Sequence, residues 1–210
     1  MGRLYSEALP RLQNLFPVNH QFKWQYWSPP VDMVESTNGP ARLMRLINVA
    51  RSMKTPELTA MLPLLFYLGA QLSVDELLDG APRVDGTIER LQPHDARICI
   101  NGRASLVSAN SFATRCFRPR TQSLIPGCST QYECYTALAT MVSDALKEDF
   151  FASSDPLRDL TVWFEKRNLR WHLCKPCAEH ILKNHRDART AIWVGLPTIL
   201  CLDNEPNSGV

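Results

Sequence analysis

Two pairs of cysteines constrain this chain more than any other feature of its 210 residues. Cys174 and Cys177 form a C-x2-C motif, in which the two intervening residues allow both sulfurs to reach one tetrahedral metal ion. Cys128 and Cys134 form a looser C-x5-C pair, which follows the turn signal Pro126-Gly127. Each pair precedes a segment with helical periodicity, so the fold has to bring two helix starts together if the pairs share one ion.

We predict that the four cysteines bind one structural zinc ion as thiolates. The positive end of a helix dipole favours thiolates and so assists the deprotonation that metal binding requires. Free or transiently oxidised thiols, or a disulfide, are the alternatives for these residues. His180 lies one helical turn beyond Cys177 and is an alternative ligand. His185 is eight residues beyond Cys177, about 12 Å along a straight helix, which is too far for the same ion.

The other three cysteines are isolated in the sequence, and Cys99 and Cys116 lie among apolar residues, which predicts buried packing. No N-terminal stretch has the order of a secretory signal, so the thiols are expected to stay reduced. We therefore predict an intracellular protein, in the cytoplasm or the nucleus. The longest apolar run, residues 61–70, is too short to span a bilayer, so no membrane partner is expected.

The chain has the pattern of an all-α protein, with 45% hydrophobic and 21% charged residues, as in ordinary globular proteins. Asn38-Gly39-Pro40 predicts a helix start with proline at the first helical position. Residues 58–71 are apolar nearly all round and predict a central helix. Ser73 and Glu76 form a capping box for a short helix after it. No segment shows the sustained alternation of a strand.

We expect an irregular helical domain followed by a small, zinc-stapled C-terminal helical subdomain. The predicted divisions are 1–30, 31–117 and 118–210. In the last of them, Asp155-Pro156 predicts a helix start, and the terminal helix is expected to end at Gly195-Leu196-Pro197. The first segment is expected to form an aromatic lid over the core or, alternatively, a docking strand. Its aromatic residues are Phe22, Trp24, Tyr26 and Trp27.

Nothing in the sequence points to catalysis. The chain has neither a glycine-rich phosphate loop nor a nucleophile elbow, and the adjacent carboxylates Asp75 and Glu76 are explained by the capping box. Four cysteines would also fill the coordination shell of a zinc ion and leave no open position for a substrate. We therefore expect a non-enzymatic protein.

Short motifs along most of the chain resemble one protein family. In the first half they are Glu7-Ala8-Leu9-Pro10-Arg11-Leu12, Phe16-Pro17, residues 61–68, Leu78-Asp79-Gly80 and Asp85-Gly86-Thr87. In the second half they are Cys174-Lys175-Pro176-Cys177, His185-Arg186, Arg189, Trp193 and Leu196-Pro197. Together they resemble the region after the BTB/POZ fold in BTB-domain proteins of mushroom-forming fungi, and residues 4–15 resemble the last helix of that fold. The resemblance implies a protein–protein interaction module.

Nucleic-acid binding is the alternative function, because basic residues surround the C-x2-C motif as they do in zinc modules that hold phosphates. These residues are Lys166, Arg167, Arg170, Lys175, Lys183, Arg186 and Arg189. Glu165, Glu179 and Asp187 are interleaved with them at distances that suit ion pairs within a helix, which favours a solvated face. We therefore expect a protein partner rather than a nucleic acid.

Overall fold

A computed structural model of the protein describes residues 2–17, 27, 33, 36–118, 125 and 127–202. Within these residues the predicted all-α class is confirmed, because regular structure consists of helices and one two-stranded ladder. None of the helices in this part of the chain has the length and apolar character needed to cross a bilayer. Phe22, Trp24 and Tyr26 of the predicted aromatic lid lie outside the described residues.

The chain forms two compact units. Unit 1 comprises residues 1–103 and 196–210, and unit 2 comprises residues 104–195. The divisions fall inside two long helices, whereas the sequence suggested boundaries near residues 30 and 117. Gly102 lies beside one division and Gly195 and Pro197 lie beside the other, but the helix continues through each of them.

Unit 1 is built from short helices whose ends the sequence predicts well. Its helices are α1 (Gly2–Leu15), α2 (Gly39–Met53), α3 (Pro56–Gly69), α4 (Val74–Asp79) and the first part of α5 (Pro93–Ala113). Helix α4 begins with the predicted capping box: the Ser73 hydroxyl accepts from the Glu76 backbone N–H at 3.1 Å, and the Glu76 carboxylate accepts from the Ser73 N–H at 2.7 Å. Trp27 donates to the backbone oxygen of Leu15 at 2.8 Å and packs on Tyr67, as a lid residue would.

A small hairpin in unit 1 corrects the expectation of a chain without strands. Strands β1 (Ala81–Pro82) and β2 (Ile88–Glu89) pair antiparallel, with Ala81 opposite Glu89. Asp85 and Gly86 make the turn, and Gly86 has a φ of 80°, which favours glycine. Two residues per strand are too few to produce a visible alternation in the sequence.

Unit 2 contains the rest of α5, the 3₁₀ turn Arg115–Phe117, α6 (Gln131–Lys147), α7 (Thr161–Trp171) and most of α8 (Lys175–Ile199). The helix start predicted at Asp155-Pro156 is wrong, because α7 begins six residues later at Thr161. Asp155 and Pro156 instead begin a turn in which Pro156 is buried.

The predicted end of α8 at Gly195-Leu196-Pro197 is also wrong, since the helix continues to Ile199. Pro197 removes one backbone hydrogen bond, but Leu196 and Leu200 on either side of it are 2% and 3% exposed. Burial of these side chains outweighs the local cost of proline. Gly102 of α5 makes room for Leu200, whose Cδ2 lies 2.6 Å from where a Cβ on Gly102 would be.

The core of unit 1 depends on a close approach of α3 and α5 at Gly69. A Cβ on Gly69 would lie 2.7 Å from the Sγ of Cys99 and 3.5 Å from the Cδ1 of Ile47. Cys99 is fully buried, and burial raises the pKa of its thiol to about 12, so this sulfur packs as a small apolar group, as the sequence suggested. The absence of a side chain at Gly69 therefore makes the space that Cys99 fills.

We predict that Gly69→Ala destabilises the protein by about 1–3 kcal/mol, the usual cost of overpacking a core. The sign is informative, because alanine in a helix interior is normally favoured over glycine by about 1 kcal/mol. Adding Cys99→Ala removes the clashing sulfur and should recover part of the loss, measured as the free energy of unfolding in urea. Gly102→Ala serves as the matched control, because it clashes with Leu200 and should not be rescued by Cys99→Ala. Equal effects of Cys99→Ala in both backgrounds would contradict this account.

Candidate metal centre

Each cysteine pair stands at the start of a helix in unit 2. Cys128 lies in the loop before α6 and Cys134 in its first turn, where the Cys134 N–H bonds to the backbone oxygen of Thr130 at 2.9 Å. Cys174 directly precedes α8, and Cys177 lies in the first turn of that helix. The backbone oxygen of Cys174 accepts from Ala178 at 3.0 Å, so Cys174 occupies the N-cap position of α8.

The two pairs converge although Cys134 and Cys174 are 40 positions apart. The four Sγ atoms of Cys128, Cys134, Cys174 and Cys177 all lie within 4.8 Å of one another. The Sγ of Cys174 is 3.8 Å from that of Cys128, and the Cys174 backbone N–H donates to the Sγ of Cys134 at 3.3 Å. A tetrahedral ion with metal–sulfur bonds of about 2.3 Å separates its sulfurs by about 3.8 Å. The cluster matches that spacing to within about 1 Å.

The cluster lies at the edge of the unit 2 core. Cys134 and Cys177 are 5% and 4% exposed and pack among the buried apolar side chains, whereas Cys128 and Cys174 are half-buried. The core residues around them include Phe117, Met141, Phe164, Leu173 and Ile181. A site that is apolar on one side and open on the other excludes most water yet leaves a path for an ion.

The thiols of the cluster differ in their pKa values. Burial tends to raise the pKa of Cys174, but hydrogen bonds from the backbone N–H of Cys177 and then from the neighbouring thiols outweigh it and lower the pKa to about 7. The helix N-terminus acts in the same direction. Burial raises the pKa of Cys177, and hydrogen bonds to the sulfurs of Cys174, Cys128 and Cys134 raise it further because the protonated thiol is their donor. Without a cation, therefore, the cluster holds one readily ionised thiol and at least one that stays protonated.

Several residues that shape the site were not identified from the sequence as part of it. Gly127 has a φ of 84°, and Pro176 packs against its open side, with its Cγ 3.8 Å from where a Cβ on Gly127 would lie. Asn168 ends α7 by accepting from the backbone N–H of Leu173 through its side chain at 2.8 Å. The Thr130 hydroxyl lies 3.3 Å from the Sγ of Cys134. Turn and cap residues of this kind signal a chain reversal, but sequence alone does not show that the two reversals meet.

The two histidines near the second pair have different surroundings. His180 is exposed, and its Nε2 lies 2.8 Å from the Nδ2 of Asn184, outside the cysteine cluster. His185 is buried at 2% exposure, with its Nδ1 3.1 Å from the backbone oxygen of Ala113. The backbone N–H of Leu160 donates to the Nε2 of His185 at 3.4 Å. His185 is therefore a core residue with its proton on Nδ1.

The seven basic residues named as an alternative contact face have different surroundings. Arg189 is 4% exposed, and it donates to the backbone oxygen of Leu157 at 2.9 Å and pairs with Asp159 at 3.5 Å. Arg167 pairs with Asp144 and with Glu148. Two intrahelical pairs follow the predicted spacing, Lys175 with Glu179 and Lys183 with Asp187. Within the described residues, no ion pair involves Lys166, Arg170 or Arg186, which are exposed.

We predict that His185 makes unit 2 sensitive to mild acid. Burial lowers the pKa of His185 below its ordinary value of 6.5, so the unfolded chain binds the proton more readily than the folded one. The stability that the neutral ring contributes is complete above about pH 6.5 and is lost as the pH falls towards the lower folded pKa, by up to about 1.4 kcal/mol per pH unit. Burial tends to raise the pKa of Asp159 beside the ring, but hydrogen bonds from Thr161 outweigh it and lower the pKa, so this carboxylate does not titrate in the same window.

Urea unfolding at pH 7.5, 6.5 and 5.5 tests this, with His185→Asn as the matched variant, because its amide can donate to Ala113 but cannot titrate. The stability advantage of the wild type over the variant should shrink as the pH falls. Comparison with the variant also removes the acid sensitivity of the cysteine cluster, which both proteins share. A constant difference across the series would rule out His185 as the source.

Comparison with known proteins gives no match: no protein-family model matches the chain, and no curated protein or solved structure is significantly similar to it. The resemblance to the region after the BTB/POZ fold therefore stays a prediction from the short motifs. What the chain can do has to be argued from its own geometry.

Proposed function

We propose that the chain is a non-enzymatic protein-interaction module of a reducing intracellular compartment, stabilised by one structural zinc ion. The observation that carries the metal proposal is the convergence of four thiol groups within 4.8 Å at the starts of α6 and α8. Four sulfur ligands at tetrahedral spacing favour zinc among the common biological ions, and they leave no open position for a substrate. The ion would be a structural element rather than a reaction centre.

The proposed ion joins two helix starts that no disulfide cross-links. Cys134 fixes the first turn of α6, and Cys174 and Cys177 fix the first turn of α8. The chain between these two helix starts contains α7, so one ion at the cluster would close a loop of the chain that includes this helix. Metal binding then contributes to folding directly, since the unfolded chain does not hold the four ligands together.

The interaction proposal is supported by exposed tyrosines beside the cluster. Tyr132 and Tyr135 are 80% and 47% exposed, and they flank Cys134 in the first turn of α6. They lie three residues apart, so they share one face of the helix. Tyrosine is enriched at protein interfaces because it combines a large apolar ring with a hydroxyl group. An ion bound to Cys134 would hold this pair in a fixed orientation for a partner.

Nucleic-acid binding is the weaker proposal. Of the seven basic residues near the second cysteine pair, Arg189 is buried, and three others are neutralised by ion pairs with carboxylates. Three exposed cations remain, and they are not enough for the strong phosphate attraction that non-specific binding needs. The resemblance to BTB-domain proteins also favours a protein partner.

We expect native mass spectrometry to detect one zinc ion per chain. Cys174→Ser or Cys177→Ser should abolish zinc binding, because an alcohol replaces a thiolate in the shell. Cys99→Ser, Cys116→Ser and Cys201→Ser are matched controls and should leave the stoichiometry unchanged. Cobalt substitution tests the ligand set, since the sulfur-to-metal absorption should be unchanged in His180→Gln. A wild-type protein that is free of zinc after purification without chelators, and that does not take up added zinc, would contradict the proposal.

We expect Tyr132→Ser/Tyr135→Ser to lose a protein partner that the wild type retains at high salt, because an apolar contact is not weakened by screening. The measurement is affinity capture with the zinc-loaded chain as bait, followed by binding of the purified partner. Val162→Ser/Leu169→Ser is the matched control, since these side chains of α7 are 62% and 78% exposed. Equal binding by the tyrosine variant and the wild type would contradict the proposed surface.

Binding measurements with nucleic acid test the alternative function. Fluorescence anisotropy with labelled DNA and RNA across a salt series should show no binding at physiological salt. Binding that falls steeply with salt and that weakens in Lys166→Gln/Arg170→Gln would instead favour a phosphate-binding role.

A further inference from the structure

A cavity in unit 1 lies between the start of α2 and the β1–β2 hairpin. Its volume is about 310 Å³, at the small end of the range for ligand pockets. Three arginines line it: Arg42 and Arg45 from the first turns of α2, and Arg83 from the hairpin. Asn38, the N-cap of α2, and Asp85 complete its polar lining. Three arginines and one aspartate among the lining residues give this part of the surface an excess of positive charge.

The arginines on α2 are not used to hold the fold. Arg42 and Arg45 lie three residues apart on one face of the helix and are exposed. Within the described residues neither has an ion pair with a carboxylate. Arg83 has two long contacts, 3.8 Å to Asp85 and 3.8 Å to Glu89, and it remains partly exposed. The two arginines of α2 therefore leave positive charge beside the cavity that would attract an anion.

The walls of the cavity are held in place by contacts that do not involve these arginines. The amide of Asn48 on α2 donates to the Glu89 carboxylate and to the backbone oxygen of Arg90, both at 2.9 Å. In the hairpin turn, the Asp85 carboxylate accepts from the Thr87 backbone N–H at 3.0 Å and from its hydroxyl at 2.5 Å. The helix and the turn are therefore fixed to each other before any ligand arrives, which reduces the ordering cost of binding.

We propose that this cavity binds a small ligand that carries a phosphate group, either inorganic phosphate or a phosphomonoester. Guanidinium groups match the oxygen geometry of phosphate and bind it through paired, charge-assisted hydrogen bonds. The N-cap of α2, Asn38, also lines the cavity, so the positive end of the helix dipole favours an anion there. The cavity volume exceeds the space that one phosphate needs, so it has room for the group that an ester carries.

Asp85 is the one group in the cavity that opposes an anion. Hydrogen bonds from Thr87 keep its pKa below the ordinary value, so its charge persists at neutral pH. Its carboxylate is already occupied by the turn and by Arg83, which limits its effect on the space between the arginines. Because Asp85 is the one anionic residue of the lining, removing its charge should still strengthen anion binding, and the turn should stay formed since asparagine can accept the same hydrogen bonds.

Titration followed by ¹H–¹⁵N NMR and calorimetry tests the proposal, with inorganic phosphate, phosphoserine and serine as probes in chloride buffer. Phosphate and phosphoserine should shift the backbone amide signals of Ala41, Val84 and Thr87, and serine should not. Tighter binding of phosphoserine than of phosphate would identify an ester as the ligand, and the reverse would identify the free ion. Arg42→Gln/Arg45→Gln should weaken binding by at least about tenfold, the loss typical of one charge-assisted hydrogen bond.

Two further variants keep the test decisive. Arg97→Gln/Arg186→Gln removes the same amount of charge from exposed positions outside the cavity and should leave the affinity unchanged. Asp85→Asn should tighten binding. Equal weakening by both double variants would mean that only the net charge of the protein attracts phosphate, and the absence of localised shifts would mean that no site exists. Either result would overturn the proposal.

Discussion

Repulsion between thiolates is the constraint on which unit 2 depends. Four thiols within 4.8 Å cannot all ionise without a cation, since thiolates at this separation repel one another. Without a cation the cluster is a set of mainly protonated side chains at the edge of a core. With one, the same four groups become a cross-link between α6 and α8. Binding of a metal ion would then be coupled to the geometry of unit 2, because the ion would stabilise only the arrangement that can hold it.

The sequence predicts those elements whose signals are local. The capping box at Ser73 and the proline at the start of α2 mark helix ends through contacts a few residues long, and the C-x2-C motif brings its two sulfurs together by spacing alone. Burial is different, because it depends on residues distant in the chain. Leu200 carries α8 through Pro197 by packing at Gly102, and Arg189 enters the core because Leu157 and Asp159 receive it. Neither outcome has a signature near the residue concerned.

The candidate sites show the same difference between local signals and contacts distant in the chain. Residue type and spacing indicate a metal site, and the structure brings the looser pair Cys128 and Cys134 to it, which spacing could not establish. The basic residues around Cys174 illustrate the opposite case, since a cluster in sequence becomes a buried arginine, several ion pairs and a few separate cations. The sequence does not predict the grouping of Arg42, Arg45 and Arg83, because the hairpin that brings Arg83 to the cavity is too short to be recognised.

The isolated cysteines can report how often the structure around them opens, because their burial controls how fast they react. Cys99 belongs to unit 1 and Cys116 to unit 2, and burial raises the pKa of each thiol to about 12. Alkylating reagents attack the thiolate, so fully buried Cys99 reacts only when the surrounding structure opens, whereas Cys116 is half-buried and its raised pKa slows its reaction. Exposed Cys201 reports the intrinsic reaction rate in the same sample. The labelling rate at Cys99, compared with that at Cys201, therefore measures how often unit 1 opens.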